Sequence, residues 1–325
     1  MVMIMNKKII YCVVLAVTIL FAMGSVNAGI FDFLGGGETT IKIGYVPSDH
    51  DAALFVADAN GYFKDEGFNV DLIKFNNGNE LMKAIETNEI DVGYVGIVPV
   101  LNSIGSGSNS KIISSAQNEG SGIVVSDSEI TQPSGLKGKS IAIPGKGSIQ
   151  EILLSNYLDK NGMSIKDLNV SYIKASSMND SLKNSKIDGV ITFQPYVSIT
   201  GSNGNNILAN SSEILPNHPC CVVVGSSKFI NDNHDNAKKF VSIHENATKF
   251  INDNIAQGNV AKIVEMLPNE IVEDKELEMD SLKSFPFTSG IDSNFKSNVL
   301  TFQQIGVEKG IIKNQLAEDQ IFWEA

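Results

Sequence analysis

Apolar and polar positions in residues 41–96 follow a pattern that predicts three strands separated by two helices. Alternating apolar runs predict strands, and runs with apolar residues at helical spacing predict helices. Polar breaks such as Pro47–Ser48–Asp49 and Asn60–Gly61 divide the runs. In chain order, the predicted segments are 41–46 (strand), 52–57 (helix), 70–75 (strand), 80–88 (helix) and 89–96 (strand).

The same plan returns about a hundred residues later, from 140 to 193. Ile43 precedes Val70 by 27 residues, and Ile143 precedes Val170 by 27 residues. Two βαβαβ units of matched spacing predict an α/β protein with two lobes, joined by a hinge and separated by a cleft.

We assign the remaining chain around these two units. Residues 1–28 are interpreted as a signal peptide, with Lys7–Lys8 before an apolar run and Val26–Asn27–Ala28 as cleavage site; an uncleaved anchor is the alternative. Either predicts an exported protein, periplasmic, extracellular or on the cell surface. The predicted order is then 29–40 (flexible tether), 41–126 (first part of lobe 1), 127–217 (lobe 2, entered through 131–138) and 218–325 (return to lobe 1 and C-terminal helices).

Charge and composition limit the function. The formal net charge is −12, which argues against a nucleic-acid-binding protein. All 25 basic residues are lysine, so no guanidinium can grip an anion through two parallel hydrogen bonds. Any anionic solute must therefore be held by lysine, backbone N–H groups, hydroxyls, amides or histidine.

Polar loops at the carboxyl ends of strands are the expected ligand site, because such loops gather at one edge of an open α/β sheet. The loop 145–148 also opens a helix, whose N-terminus favours negative charge. A tight turn alone would explain its glycines equally well. The candidate ligand-binding residues are Ser48, His50, Asn77, Gly96, Asn118, Lys146, Ser148, Gln194, Tyr196 and Cys220.

The tetrapeptide His218–Pro219–Cys220–Cys221 allows three interpretations. The simplest interpretation is that the two thiols are buried at the start of a strand, since free cysteine is commonly buried. The others are a ligand-facing wall and a soft-metal site, which needs more donors than these side chains clearly give. We therefore predict no metal site. The acidic run 270–280 is interpreted as a solvated helix face.

The sequence order shows no credible pairing of a nucleophile with a base, and no paired carboxylates. We therefore predict a binding protein without a cofactor, and not an enzyme.

Five segments carry a family resemblance: 41–47, 61–67, 89–93, 136–139 and 186–189. Together they resemble the extracytoplasmic solute-binding proteins of nitrate/sulfonate/taurine-type ABC importers. The resemblance implies a type II periplasmic-binding-protein fold whose hinge closes on a small polar or anionic solute. It also implies delivery to an ABC permease and its ATPase, and we expect a monomer.

Two alternatives belong to other classes. Fungal thiamine-pyrimidine synthases are similar around Cys220–Cys221 but carry a longer cysteine cluster, and no lysine follows 98–103, where they hold pyridoxal. Binding of a pyrimidine precursor remains open, whereas synthesis predicts pyridoxal absorbance. A surface sensor or adhesion module predicts no neighbouring permease and ATPase genes.

Overall fold

The computed structural model describes residues 39–324. The predicted signal peptide and nearly all of the predicted tether lie outside these residues. Thr39 and Thr40, the last two residues of that tether, begin the first strand.

Five strands form the first sheet: β1 (Thr39–Tyr45), β2 (Phe68–Lys74), β3 (Val92–Gly96), β4 (Lys111–Asn118) and β10 (Pro219–Gly225). Their spatial order is β2–β1–β3–β10–β4. The first three strands are parallel, and β10 runs antiparallel to both β3 and β4.

Five further strands form the second sheet: β5 (Ser121–Val125), β6 (Ser140–Ile143), β7 (Asn169–Tyr172), β8 (Gly189–Phe193) and β9 (Asn206–Asn210). Their order is β7–β6–β8–β5–β9, so three parallel strands again meet an antiparallel one. Two α/β lobes are therefore present, which confirms the predicted fold class.

The repeat seen in the sequence is a repeat of strand register. Ile41 pairs with Val70 in the first sheet, and Ile141 pairs with Val170 in the second. The connecting segments are equally long because each carries one helical crossover between parallel neighbours.

The predicted boundary between the lobes is wrong by one strand. The sequence placed 122–126 in lobe 1 and the crossing at 131–138, yet β5 pairs with β8 and β9 of the second sheet. The chain therefore crosses at Glu119–Gly120. It returns to the first sheet before β10. Every residue of the misplaced strand is buried, so no alternation of buried and exposed positions indicates which sheet it joins.

Helices cover the faces of both sheets. We number them α1 (Ala52–Ala59), α2 (Tyr62–Asp65), α3 (Gly78–Glu86), α4 (Ile97–Gly105), α5 (Ile149–Lys160), α6 (Ala175–Lys183), α7 (Tyr196–Ser202), α8 (Ser211–Ile214), α9 (Ser227–Asp232), α10 (His234–Ala256), α11 (Val260–Val264), α12 (Lys275–Leu282), α13 (Ser293–Glu308) and α14 (Glu318–Ile321). Within residues 39–324, no helix combines the length and apolar character that crossing a membrane requires.

A buried histidine joins α10 to the first sheet. His244 Nε2 lies 2.8 Å from the carbonyl oxygen of Ser115, and its Nδ1 lies 3.0 Å from the hydroxyl of Tyr94. A carbonyl only accepts, so Nε2 carries the proton and Nδ1 accepts from the tyrosine. Burial lowers the pKa of His244 to about 4, although its backbone hydrogen bonds oppose the change.

This histidine should make stability depend on pH. The unfolded state binds a proton near pH 6.5 and the folded state only near pH 4. His244 should therefore lower the free energy of unfolding by about 2 kcal/mol between pH 7 and pH 5. Urea unfolding across this range should show a flatter dependence in His244→Gln than in the control His234→Gln, which changes an exposed residue of the same helix. Equal slopes in the two variants would contradict the assignment.

Candidate functional site

The turn that follows β1 is buried where the two lobes meet. Asp49–Asp51 forms a 3-10 helix, which Ser48 caps by accepting a hydrogen bond from the backbone N–H of His50 (3.2 Å). The hydroxyl of Ser48 also lies 3.1 Å from the carbonyl oxygen of Gln194 and donates to it. Gln194 directly follows β8, so this bond joins the first lobe to the second.

The side chain of Gln194 makes a second connection between the lobes. Its Nε2 donates to the hydroxyl of Ser284 (2.9 Å), which lies in the C-terminal part of the chain. Its Oε1 accepts from the backbone N–H of Ser198 in α7 (3.1 Å), which fixes the amide orientation. The predicted residues Ser48, His50 and Gln194 thus lie together in the cleft between the lobes.

Aromatic rings from both lobes surround His50. The ring of Phe285 lies 4.8 Å from the imidazole, and that of Phe193, at the end of β8, lies 5.9 Å from it. Tyr196 is half-buried, with its ring 5.6 Å from Phe193. Burial and nearby carboxylates raise the pKa of Tyr196, so its hydroxyl stays protonated at neutral pH. Tyr196 therefore joins the cleft through the aromatic contacts around His50.

Strand β10 brings two thiols to the same imidazole. The sulfur atoms of Cys220 and Cys221 lie 3.7 Å and 3.8 Å from His50 Nδ1. We call these three residues the thiol–imidazole cluster. Cys220 is fully buried, and Cys221 keeps part of its surface exposed.

Hydrogen bonds within the cluster shift the pKa values of its two thiols in opposite directions. A hydrogen bond from Cys221 lowers the pKa of Cys220 well below its usual value, and His50 adds to the effect against burial. The pKa of Cys221 is raised by the same bond and by burial. Burial opposes the charged form of His50, but Cys220 and the neighbouring aspartates outweigh it and raise its pKa. Cys220 is therefore the more acidic thiol of the pair.

Three buried carboxyl groups lie around the cluster. Burial raises the pKa of Asp49 and Asp51 in the turn and raises that of Glu278 in α12 to about 9, with the charge of Asp49 adding to it. Ser281 donates a hydrogen bond to Asp49, which ties α12 to the turn. The seven ion pairs that lysine forms within residues 39–324 all lie elsewhere. The cleft around the cluster therefore holds three carboxyl groups and none of these lysine ion pairs.

The predicted anion loop before α5 binds one of the protein's own carboxylates. Ser148 caps the helix by accepting from the N–H of Glu151 (3.3 Å), and Gly147 N–H donates to a carboxylate oxygen of Glu151 (2.6 Å). Tyr172 donates to the other oxygen (2.7 Å). Lys146 is exposed. The N-terminal charge of this helix is thus compensated within the loop.

The three remaining candidate ligand-binding residues, Asn77, Gly96 and Asn118, lie in different surroundings. Asn77 is exposed and caps α3 by accepting from Glu80 N–H (3.0 Å). Gly96 pairs with Cys221 across β3 and β10, beside the thiol–imidazole cluster. Asn118 ends β4, and its carbonyl oxygen Oδ1 is buried without a hydrogen-bond partner in the described structure.

Sequence reasoning missed the acidic residues and the pairing of His50 with the two cysteines. His218 was grouped with the cysteines, but its Nδ1 bonds the carbonyl oxygen of Leu215 (2.8 Å), and His50 takes that place. Glu278 lies in the run interpreted as a solvated face, yet it is only 1% exposed. The sequence of α12 offered no signal for this burial, because two of its three buried residues, Glu278 and Ser281, are polar.

Comparison with known sequences places most of the chain in one group. Residues 35–267 match the sequence model of the NMT1-like family. A Bacillus subtilis protein named as binding aliphatic sulfonates is 27% identical over 202 residues, which cover 60% of this chain. The aligned region also spans 60% of that relative's length.

Solved structures share the fold. The periplasmic aliphatic sulphonate binding protein of Escherichia coli superposes with a TM-score of 0.74 and 16% identity, covering 88% of this chain and 97% of the other. The periplasmic nitrate-binding protein of Synechocystis gives 0.74 and 15%, covering 87% and 86%. These comparisons confirm the resemblance and the two-lobe fold inferred from the sequence.

Proposed function

Because the chain belongs to the NMT1-like family, we propose that it is an extracytoplasmic solute-binding protein for ABC-type import. The observation that carries the proposal is the interlobe hydrogen bond from Ser48 to the carbonyl of Gln194 (3.1 Å). It closes a polar cleft at the carboxyl ends of β1 and β8, where ligands of open α/β sheets bind.

Two chain crossings supply the hinge for opening this cleft. The chain enters the second lobe at Glu119–Gly120 and returns between β9 and β10. A solute that contacts both lobes binds the closed form more tightly and shifts the population toward it. An ABC permease and its ATPase would then recognise the closed receptor, which acts as an exported monomer.

The solute we propose is small and polar, with nitrate, sulfonates and taurine as the first candidates. Relatives and structural neighbours named for sulfonates and nitrate support this choice. Among these solutes, taurine carries an ammonium group that suits the acidic cleft around Asp49 and Asp51. The named relatives are binding proteins, and we propose no catalytic activity.

A thermal-shift screen tests this function. We expect one of taurine, alkanesulfonates, nitrate, bicarbonate or a pyrimidine to raise the melting temperature, since a ligand at 100 times its Kd adds about 2.7 kcal/mol. Small-angle scattering should show a smaller radius of gyration with the same solute. Gln194→Ala should weaken binding by at least about tenfold through loss of the contact to Ser284.

The matched control is Gln304→Ala, which changes an exposed glutamine of α13. This variant should bind like the unmodified protein. Binding that leaves the radius of gyration unchanged, or equal affinity in the two glutamine variants, would contradict a receptor that closes on its solute.

A further inference from the structure

The thiol–imidazole cluster has the dimensions of a metal site. Zinc lies about 2.3 Å from a thiolate and about 2.0–2.1 Å from an imidazole nitrogen, so tetrahedral coordination separates nitrogen from sulfur by about 3.6 Å. In the cleft, His50 Nδ1 is 3.7 Å from Cys220 Sγ and 3.8 Å from Cys221 Sγ. All three donor atoms lie within 4.8 Å of one another. Both nitrogen–sulfur distances therefore match those around one shared ion to within a few tenths of an ångström.

A local irregularity of β10 explains how adjacent cysteines face one histidine. In a regular strand, successive side chains point to opposite faces. The pairing of β10 with β4 shifts between Pro219 and Cys221 and again between Cys221 and Val222. Such bulges redirect side chains and are frequent beside functional sites. Here they direct both sulfur atoms to His50.

The surroundings suit a cation. Asp49 and Asp51 flank His50 in the turn and are buried beside it. Nδ1 faces the sulfur atoms, while Nε2 is buried without a hydrogen-bond partner in the described structure, 4.0 Å from a carboxylate oxygen of Asp49. Ligating histidines commonly donate their second N–H to a carboxylate. A small rotation of the ring would complete that contact.

We propose that His50, Cys220 and Cys221 bind a thiophilic d10 cation, Zn²⁺ or Cu⁺, inside the cleft. Two sulfur atoms and one imidazole select such ions over Mg²⁺ and Ca²⁺, which take oxygen ligands. Three protein ligands leave a fourth position for solvent or for a group of the solute. Binding uses both thiolates and the neutral imidazole, so protons pass from these residues to the buffer. This inference rests on the proposed function, because it names a metal ion as the solute or as part of it.

Calorimetric titration of the full chain with zinc chloride, with the thiols kept reduced, tests the site. We expect one zinc per chain. Cys220→Ser, Cys221→Ser and His50→Gln should each weaken binding at least about 100-fold, since changes beside metal ligands already cost 10–100-fold. His234→Gln is the control for loss of an exposed histidine and should bind zinc normally. A parallel titration with Cu⁺ against a chromophoric chelator covers the second ion.

Cobalt(II) supplies a readout that does not depend on the variants folding. In the unmodified protein, Co²⁺ should produce a near-ultraviolet thiolate-to-cobalt charge-transfer band, and zinc should abolish it by displacement. Absence of stoichiometric Zn²⁺ and Cu⁺ binding would overturn the proposal, as would equal affinity in Cys220→Ser and His234→Gln, or a cobalt complex without the thiolate band.

The same measurements separate this inference from the proposed function. If an organic solute closes the lobes and neither metal ion binds, the receptor proposal stands and the metal site is rejected. If a metal ion binds the cluster and no metal or organic solute changes the radius of gyration, the site stands and the receptor proposal is rejected.

Discussion

Gly120→Ala should destabilise the protein by about 2–6 kcal/mol and weaken the binding of any ligand in the cleft. Gly120 has a φ of +74°, and a methyl group there would lie 2.6 Å from His50 Nε2 and 3.2 Å from Gln117 Nε2. The left-handed conformation costs an alanine about 1–3 kcal/mol, and overpacking adds about 1–3 kcal/mol. The residue also lies where the chain first crosses between the lobes. Relief of the clash would move either this crossing or the His50 side chain, and both lie in the cleft.

Urea unfolding measures this loss, and Gly138→Ala is the matched control. Gly138 has a φ of +75°, and an added Cβ meets no heavy atom within 4 Å. The control therefore retains the conformational strain without the clash and should lose about 1–3 kcal/mol. Equal destabilisation in the two variants would show that the contact with His50 contributes nothing.

Glu278→Gln should stabilise the protein by about 2–3 kcal/mol at pH 7. Burial, with a further contribution from the charge of Asp49, raises the pKa of Glu278 to about 9. Its Oε1 is buried without a hydrogen-bond partner in the described structure. Because the folded protein must hold a proton that the unfolded chain releases above about pH 4.5, the unmodified protein loses stability as pH rises from 4.5 to 9. Glutamine is neutral throughout and avoids this loss.

The gain should therefore depend on pH. Urea unfolding of Glu278→Gln and the unmodified protein should differ most at pH 8 and by less than about 1 kcal/mol at pH 5. Glu276→Gln, an exposed change in the same helix, should stay within about 0.5 kcal/mol at both values. A gain that is constant with pH would contradict a buried, protonated Glu278.

The architecture was largely predictable because parallel strands impose their spacing on the sequence. Ile41 and Ile141 each pair with a residue 29 positions later, a regularity already visible in the apolar pattern. Strand β5 was the exception. All five of its residues are buried, so no alternation marks the face or the sheet to which it belongs.

The site was less predictable because its chemistry depends on contacts between distant segments. Cys220 and Cys221 reach His50, 170 and 171 residues away, only through the irregular pairing of β10 with β4. The charge of the loop before α5 was misjudged for a similar reason. The sequence predicted that this loop would favour an external negative charge, whereas the carboxylate of Glu151 accepts the N–H of Gly147.

The position of β10 in the first sheet has a consequence for synthesis and for the proposed export. Strand β10 lies between β3 and β4, so residues 39–118 cannot assemble their sheet until residue 225 has left the ribosome. A chain released toward a secretion channel would thus remain unfolded over most of its length, which is the state that threading across a membrane requires.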